Sequence, residues 1–347
     1  MRKLNNEETV SYENTAFEAA LCGDSVSLSR KTVDAGRIFG IRSLKNITIE
    51  APVFDTANQY QCRVQDNYVF NESMLHHMLS FIDGTSGDAL YLYGPSGCGK
   101  TSLISQIAAR LQWPVVSLTI NGRFELADLI GHTSVVNGRV VFVHGPLARA
   151  MRYGYILILN EIDLADAAEL AGLNDVLEGR SLVVIQNNGE VIPPHPDFRL
   201  VVTANTCGSG SRGGYHGTQL LNAAFLDRFR FIRCDYMSAK EESGLLKKAV
   251  PELSDKTIAS MVRIAGEIRR SHTEPKANHV YMSVPMSTRA LLRWAGLTKA
   301  YAFEDNPLKV ALLHSFAGRL SDDEREYVLR LVSDVTGDTG DGVGSSV

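Results

Sequence analysis

The stretch Leu90-Tyr91-Leu92-Tyr93-Gly94-Pro95-Ser96-Gly97-Cys98-Gly99-Lys100-Thr101 constrains the fold more than any other part of the chain. A short apolar strand runs into a glycine-rich loop that ends in Lys-Thr, and a helical pattern follows over residues 101–112. Gly94 and Gly99 let a backbone wrap around a phosphate chain with its N–H groups inward, where a β-carbon would obstruct the turn. The helix behind the loop turns the positive end of its dipole toward the same anion. Lys100 then reaches the β- and γ-phosphates as a point charge, and the Thr101 hydroxyl serves as a magnesium ligand. The full nucleotide-binding set is Gly94, Pro95, Ser96, Gly97, Cys98, Gly99, Lys100, Thr101 and Ser102. A G-x4-G-K-[ST] pattern arises by chance in about one chain in a hundred of this length, so a mere turn before a helix is a poor account of it.

A phosphate-binding loop needs a parallel sheet behind it, and the sequence supplies one. From Tyr68 onward, helical patterns alternate with short apolar runs at 89–93, 115–120, 155–159, 200–203 and 229–233. Five such strands predict an α/β fold with a five-stranded parallel sheet covered by helices. Two hairpins interrupt it. One spans 131–135 and 138–145; the other, 181–192, carries the turn signal Asn188-Gly189. After about Asp235 the pattern is helical, with helices expected at 241–250, 254–271, 287–302 and 322–335, forming an all-helical lid. At the other end, residues 1–35 read as a loose arm, and 39–42 and 47–54 as short extended pieces, the latter ended by Pro52. The expected organisation is an N-terminal arm and accessory element at 1–65, the nucleotide-binding domain at 66–236, the lid at 237–335 and a flexible tail at 336–347.

Composition excludes several other classes. The five cysteines (Cys22, Cys62, Cys98, Cys207 and Cys234) are odd in number and contain no C-x-x-C, which argues against a disulfide framework or a zinc site and for a cytoplasmic setting. No apolar run approaches the length of a membrane span, and the N-terminus lacks a signal-peptide core. A net charge of −4 without a long Lys/Arg run disfavours nucleic acid as a partner. His132, His144, His195 and His216 lack metal-ligand spacing and read as structural.

Tyr155-Ile-Leu-Ile-Leu-Asn160-Glu161-Ile-Asp163 is a second strand of the nucleotide site, its polar end lying at the edge where such sheets bind ligands. Glu161 takes the role of polarising the attacking water. Asn160 stands where an aspartate would hold the magnesium shell; its amide can bond a magnesium-bound water but supplies no charge. Asp163 is expected to face the same side and substitute in part. Asn205, after the strand 200–203, would sense the γ-phosphate or hold the water, with a turn-forming asparagine as the bland alternative. Arg228 and Arg289 could each place a fixed positive charge on the transferring phosphoryl group, with an intramolecular ion pair as the alternative.

These pieces, in this order, resemble AAA+ ATPases of the MoxR-like group and, within it, the CobS type, the ATPase subunit of aerobic cobaltochelatase. The likeness covers roughly residues 36–335 and rests on Phe39-Gly-Ile-Arg, on the segment 101–114, on Val191-Ile-Pro-Pro-His-Pro-Asp-Phe-Arg-Leu200 and on Thr203-Ala-Asn-Thr206 followed by Gly214-Tyr-His-Gly-Thr-Gln219. The resemblance implies Walker A at Lys100 and Thr101, Walker B at Glu161, sensor 1 at Asn205, an arginine finger at Arg228 and sensor 2 at Arg289. It further implies ATP and Mg2+ as cofactors, a homo-oligomeric ring, usually hexameric, and a partner protein with a metal-dependent adhesion-type (VWA) domain. The resulting expectation is an ATP hydrolase that remodels a partner complex. A cobaltochelatase motor, a nucleic-acid motor and a slow nucleotide-gated assembly switch are the alternatives.

Overall fold

The computed structural model describes residues 24–55, 57, 59–84, 89–136, 138–210, 217–273 and 280–337. The arm expected before residue 24 and the tail after 337 lie outside the described residues.

The chain forms two compact units. The first comprises residues 24–65, 72–94 and 100–233; the second comprises 66–71, 95–99 and 234–337. Strands are numbered in chain order: β1 (Ser27–Asp34), β2 (Thr48–Phe54), β3 (Ala89–Tyr93), β4 (Val115–Thr119), β5 (Gly131–Val136), β6 (Arg139–His144), β7 (Ile156–Asn160), β8 (Leu182–Val184), β9 (Glu190–Ile192), β10 (Arg199–Ala204) and β11 (Phe229–Arg233).

The five expected strands form one parallel sheet in the order β11-β3-β10-β7-β4. The three central strands have apolar runs because both their faces are covered: Leu90, Tyr91 and Leu92, Ile156 to Leu159, and Val201 and Val202 are all fully buried. The edge strands β4 and β11 retain exposed positions. β10 lies between β3 and β7, pairing Thr203 with Leu92 and Val202 with Leu159. The C-terminal ends of the loop-bearing strand, of β10 and of β7 therefore emerge side by side.

Both hairpins form. β5 pairs antiparallel with β6. β8 pairs with β9 through a connection of residues 185–189, longer than a two-residue turn, in which Asn188 (φ 55°) and Gly189 (φ 73°) hold the left-handed conformation. Glu190 binds the base of this hairpin to the rest of the unit: it receives His144 Nε2 at 2.6 Å and Asn187 Nδ2 at 2.7 Å and pairs with Arg152.

The N-terminal region departs from expectation. Residues 27–34, assigned to a loose arm, form β1 and pair antiparallel with β2. Pro52 does not end β2; it sits within it opposite Arg30, where the two-stranded ribbon tolerates a missing donor. Phe39-Gly-Ile-Arg is not extended either: Phe39 closes the helix Ala35–Phe39, and Gly40 caps it at φ 69°. The ribbon is tied to the sheet by buried polar contacts. Tyr155 Oη bonds both the N–H and the carbonyl of Ser25 at 2.8 Å, Arg149 pairs with Asp24, and Asp197 accepts from Ser27 Oγ and Arg30 Nε.

The second unit contains helices Ala239–Ala249, Asp255–Thr273, Thr288–Ala300, Pro307–Ser315 and Asp322–Thr336 around a core that includes Met261, Met282, Met286, Trp294 and Phe316. Ser238 with Glu241, and Ser321 with Glu324, close two of these helices with capping boxes. The helix Pro307–Ser315 was not anticipated. Its Asn306-Pro307 start reads as a turn, and it has almost no apolar stripe, although Asn306 caps it and proline is well tolerated in its first turn. No helix among the described residues is long and apolar enough to cross a membrane.

Glu190 generates a prediction. Burial pushes its carboxyl up, but bonds from His144 and Asn187 and the charge of Arg152 outweigh burial and hold it down to about 2, against an ordinary 4.5. A depressed carboxylate stabilises the folded state above the unfolded pKa, and the contribution disappears as pH falls through the folded one. The melting-temperature gap between wild type and Glu190→Gln is expected to narrow as pH drops from 4.5 to 2. A gap independent of pH would contradict this.

Candidate functional site

The loop leaves β3 at Gly94, whose N–H donates to Ala204 O at 3.3 Å and so joins the exits of β3 and β10. Gly94, Gly97 and Gly99 have φ of 148°, 71° and 103°. At Gly97 the left-handed backbone coincides with a close approach: an added Cβ would stand 2.6 Å from Ser287 Cβ and 3.7 Å from Arg289 Cβ. Residues 95–99 pack with the second unit, where Tyr236 Oη donates to Ser96 O at 3.0 Å. Cys98 is buried, and its N–H donates to Pro95 O. The helix Lys100–Leu111 begins directly after the loop, with Ser102 exposed in its first turn.

In the first unit, Lys100 Nζ donates to Gly94 O at 2.7 Å and to Asn205 Oδ1 at 3.2 Å. Thr101 Oγ1 donates to Asn160 Oδ1 at 2.5 Å, and Thr203 Oγ1 donates to the same oxygen at 3.2 Å. The Asn160 amide is oriented by its other half, since Nδ2 donates to Ser117 Oγ at 2.9 Å and to Leu118 O at 3.3 Å. Glu161, the next residue, adopts φ 58° and ψ 44°, and its exposed carboxylate has no hydrogen-bond or ion-pair partner among the described residues. Lys100, Thr101, Asn160 and Asn205 are thus joined by hydrogen bonds along one sheet edge, with Glu161 following Asn160. The cluster offers a cation, hydroxyl and amide oxygens and a free carboxylate. Such a set suits a phosphate chain with a hard cation such as magnesium, and no group of three or more His, Cys, Asp or Glu among the described residues could hold a metal by itself.

Asp163 does not share that edge. It is fully buried in the turn Ile162–Leu164, and its Oδ2 accepts from Asn205 N and Thr206 N at 3.1 Å and from Thr206 Oγ1 at 3.2 Å. The expectation that it stands in for the absent aspartate at position 160 is corrected: its carboxylate is directed into the exit of β10. The Asp163 contacts were not legible in sequence; an aspartate two residues beyond a strand end carries no signal of what it caps.

The family described as AAA domain (dynein-related subfamily) matches residues 89–229, from β3 to the start of β11, and the family described as CbbQ/NirQ/NorQ C-terminal matches 242–335. The chain belongs to the AAA+ family, in its MoxR-like group. The aerobic cobaltochelatase subunit CobS of a Sinorhizobium species is 29% identical over 88% of this chain and 90% of its own length. An uncharacterised protein of Staphylococcus haemolyticus is 25% identical over 70% of this chain and 88% of its own. Midasin of Dictyostelium discoideum is 28% identical over 70% of this chain, which spans 4% of midasin.

Of the two arginines, Arg228 belongs to the first unit with the cluster and Arg289 to the second unit. Phe229 pairs with Ala89, the first residue of β3, so Arg228 sits at the opposite end of the sheet from the loop at Gly94, about 16 Å away along a five-residue strand. There its guanidinium bonds Glu178 Oε1, with Nη2 at 2.5 Å, and its Nη1 donates to Ala224 O. The bond from Arg228, with the charge of Arg180, holds Glu178 below the ordinary carboxylate range. Arg289 is the second residue of the helix Thr288–Ala300, which Ser287 caps; it is exposed and has no ion-pair partner among the described residues. The preceding Thr288 Oγ1 donates to Glu242 Oε1 at 2.7 Å. Glu242 is buried and takes two bonds of 2.8 Å from Arg269, whose guanidinium stacks 4.2 Å over the Tyr236 ring.

The orientation of Asn160 can be tested by its stability cost. In Asn160→Asp, a carboxylate oxygen replaces Nδ2 opposite the Leu118 carbonyl, turning a donor–acceptor contact into two acceptors. The expected loss is about 1–3 kcal/mol in urea unfolding. A midpoint at or above wild type would mean that the amide orientation constrains nothing.

Proposed function

We propose that this protein binds ATP with magnesium, hydrolyses it and uses the cycle to remodel a partner protein complex, residues 66–236 forming the nucleotide-binding domain and 237–335 the lid. The observation that carries the reading is the cluster at the sheet edge: Lys100 bonded to Gly94 O and Asn205, Thr101 bonded to Asn160, and beside them a Glu161 carboxylate with no partner among the described residues. Lys100 would exchange Gly94 O and Asn205 Oδ1 for phosphate oxygens, and Thr101 Oγ1 and Asn160 Oδ1 would hold magnesium, Asn160 through a water. Magnesium, when bound, neutralises charge building on the phosphates. Glu161 would accept hydrogen bonds from the attacking water, Asn205 would fix its position, and Arg289 would add charge from the lid.

The same reading makes the working form a homo-oligomeric ring, a hexamer. Arg228 at the far end of its own sheet cannot serve its own nucleotide, so it would complete the site of a neighbour, leaving Glu178 to do so. The exposed valines of the two hairpins (Val135, Val140, Val183 and Val191) would face the partner, which in this reading carries a VWA-type domain. A narrower second reading, cobalt insertion into a corrin ring together with partner subunits, is supported by similarity to the CobS subunit over most of both chains. Cobalt insertion assayed with and without candidate partner subunits separates the two.

Lys100→Ala is expected to lose ATP binding, whereas Glu161→Gln should bind ATP and turn it over far more slowly, because the first contact is used throughout and the second only as water attacks. Fluorescent-nucleotide binding and phosphate release decide this, and normal turnover by Lys100→Ala would end the assignment.

Arg228→Ala should lower hydrolysis by about a thousandfold or more with ATP affinity little changed. Mixed with Lys100→Ala protein under conditions of subunit exchange, it should regain activity at interfaces that join an intact Lys100 to an intact Arg228. No recovery despite demonstrated exchange would return Arg228 to a structural ion pair.

A further inference from the structure

We infer that Asp163 is a positioning residue for Asn205, acting on turnover only through it; the inference rests on the proposed role of Asn205 in placing the attacking water. The geometry begins at Glu161. Its left-handed conformation reverses the chain directly after β7, so three polar side chains in four residues diverge: Asn160 toward Thr101, Glu161 to solvent and Asp163 into the interior. There a single carboxylate oxygen gathers three donors from two consecutive residues: the backbone N–H of Asn205, the backbone N–H of Thr206 and the Thr206 hydroxyl. The backbone carbonyl of Asp163 accepts from Gln219 N at 2.6 Å, so the same residue also holds the return of the segment that begins at Asn205. On the other side of that segment, Tyr91 Oη donates to Thr206 O at 3.3 Å.

The consequence is a directed chain of contacts. Asp163 fixes the backbone of Asn205, the Asn205 side-chain oxygen receives Lys100 Nζ, and Lys100 returns to Gly94 O. Asn205 carries no charge and projects from a turn rather than from the sheet, so its side chain is only as well placed as its backbone. A charge-assisted acceptor on the Asn205 N–H supplies that placement. The other carboxylate oxygen, Oδ1, is buried and unpartnered among the described residues. The carboxylate is thus satisfied on the side that faces residues 205 and 206, where its contacts set their backbone.

The test is a double-substitution cycle on the full chain, Asp163→Ala against Asn205→Ala, reading kcat for ATP and, separately, affinity for a fluorescent ATP analogue. Each single change should lower kcat about tenfold to a hundredfold, the scale of an ångström-sized misplacement, with analogue affinity changed by less than about threefold. Asp163→Asn should recover most of the loss, because its amide oxygen still accepts from residues 205 and 206. In the Asn205→Ala background, Asp163→Ala should add less than about twofold. A full multiplicative loss on top of Asn205→Ala, or a loss in affinity as large as that in kcat, would overturn the positioning role and leave the reading of Asn205 intact. Wild-type turnover by Asn205→Ala would overturn that reading, and the inference with it. If Asp163→Ala does not fold, Asp163→Ser, whose side chain is too short to reach the N–H groups of residues 205 and 206, runs the same cycle: a kcat loss present in wild type and absent beside Asn205→Ala supports the role, and an equal loss in both, or no loss in either, overturns it.

Discussion

The parallel register of β10 between β3 and β7 is the constraint on which the candidate site depends. It brings the ends of three strands to one edge, so that Gly94, Asn160 with Glu161, and Asn205 leave the sheet as neighbours although they are far apart in sequence. The register is strongly specified because all three strands are buried on both faces, and a slip would leave hydrogen-bonding groups unpaired within the core. Nothing in the loop itself could assemble the cluster. Gly94 N bonding to Ala204 O is the first contact across the edge, and the hydrogen bonds of Lys100 and Thr101 build outward from it.

Asn160 shows how a residue that looks deficient in sequence can be well placed in structure. Judged by charge, it lacks what an aspartate would give a magnesium shell. Judged by hydrogen bonds, it does what a carboxylate could not: its oxygen accepts from Thr101 and Thr203, while its amide group donates to Ser117 and to the Leu118 carbonyl. One side chain thus joins β4, β7, β10 and the helix after the loop. An ionised aspartate has no donor for Leu118 O. Under the proposed function the trade would be one of magnesium affinity against alignment, and the two can be measured separately.

Much of this is legible in the amino-acid sequence alone, and the reasons are physical. Long apolar runs buried on both sides announce the central strands, and the glycine spacing with Lys-Thr announces the loop, because each pattern admits few other folds. The elements missed are those whose stability comes from distant partners. β1, Ser-Leu-Ser-Arg-Lys-Thr-Val-Asp, is mostly polar and half exposed; its order comes from Tyr155 and Asp197, which no local reading of residues 27–34 could supply. Pro307–Ser315 lacks an apolar stripe and is helical through its cap and its packing within the second unit. The contacts of Asp163 were missed for the same reason: the direction of a side chain after a strand end depends on one backbone angle.

That angle, at Glu161, carries an energetic argument. A non-glycine residue in the left-handed region costs about 1–2 kcal/mol and persists only where its surroundings determine it. The surroundings here are on both sides. Asn160 is held by four hydrogen bonds at the end of β7, and Asp163 by three at the exit of β10, so the residues between them must bridge two fixed points that face apart. An extended Glu161 would continue β7 and carry Asp163 past the Asn205 N–H; a glycine would relieve the strain but remove the carboxylate. The strain therefore has a structural product, an acidic side chain directed away from the core at the edge where Lys100 and Asn205 meet, with no partner among the described residues to neutralise it.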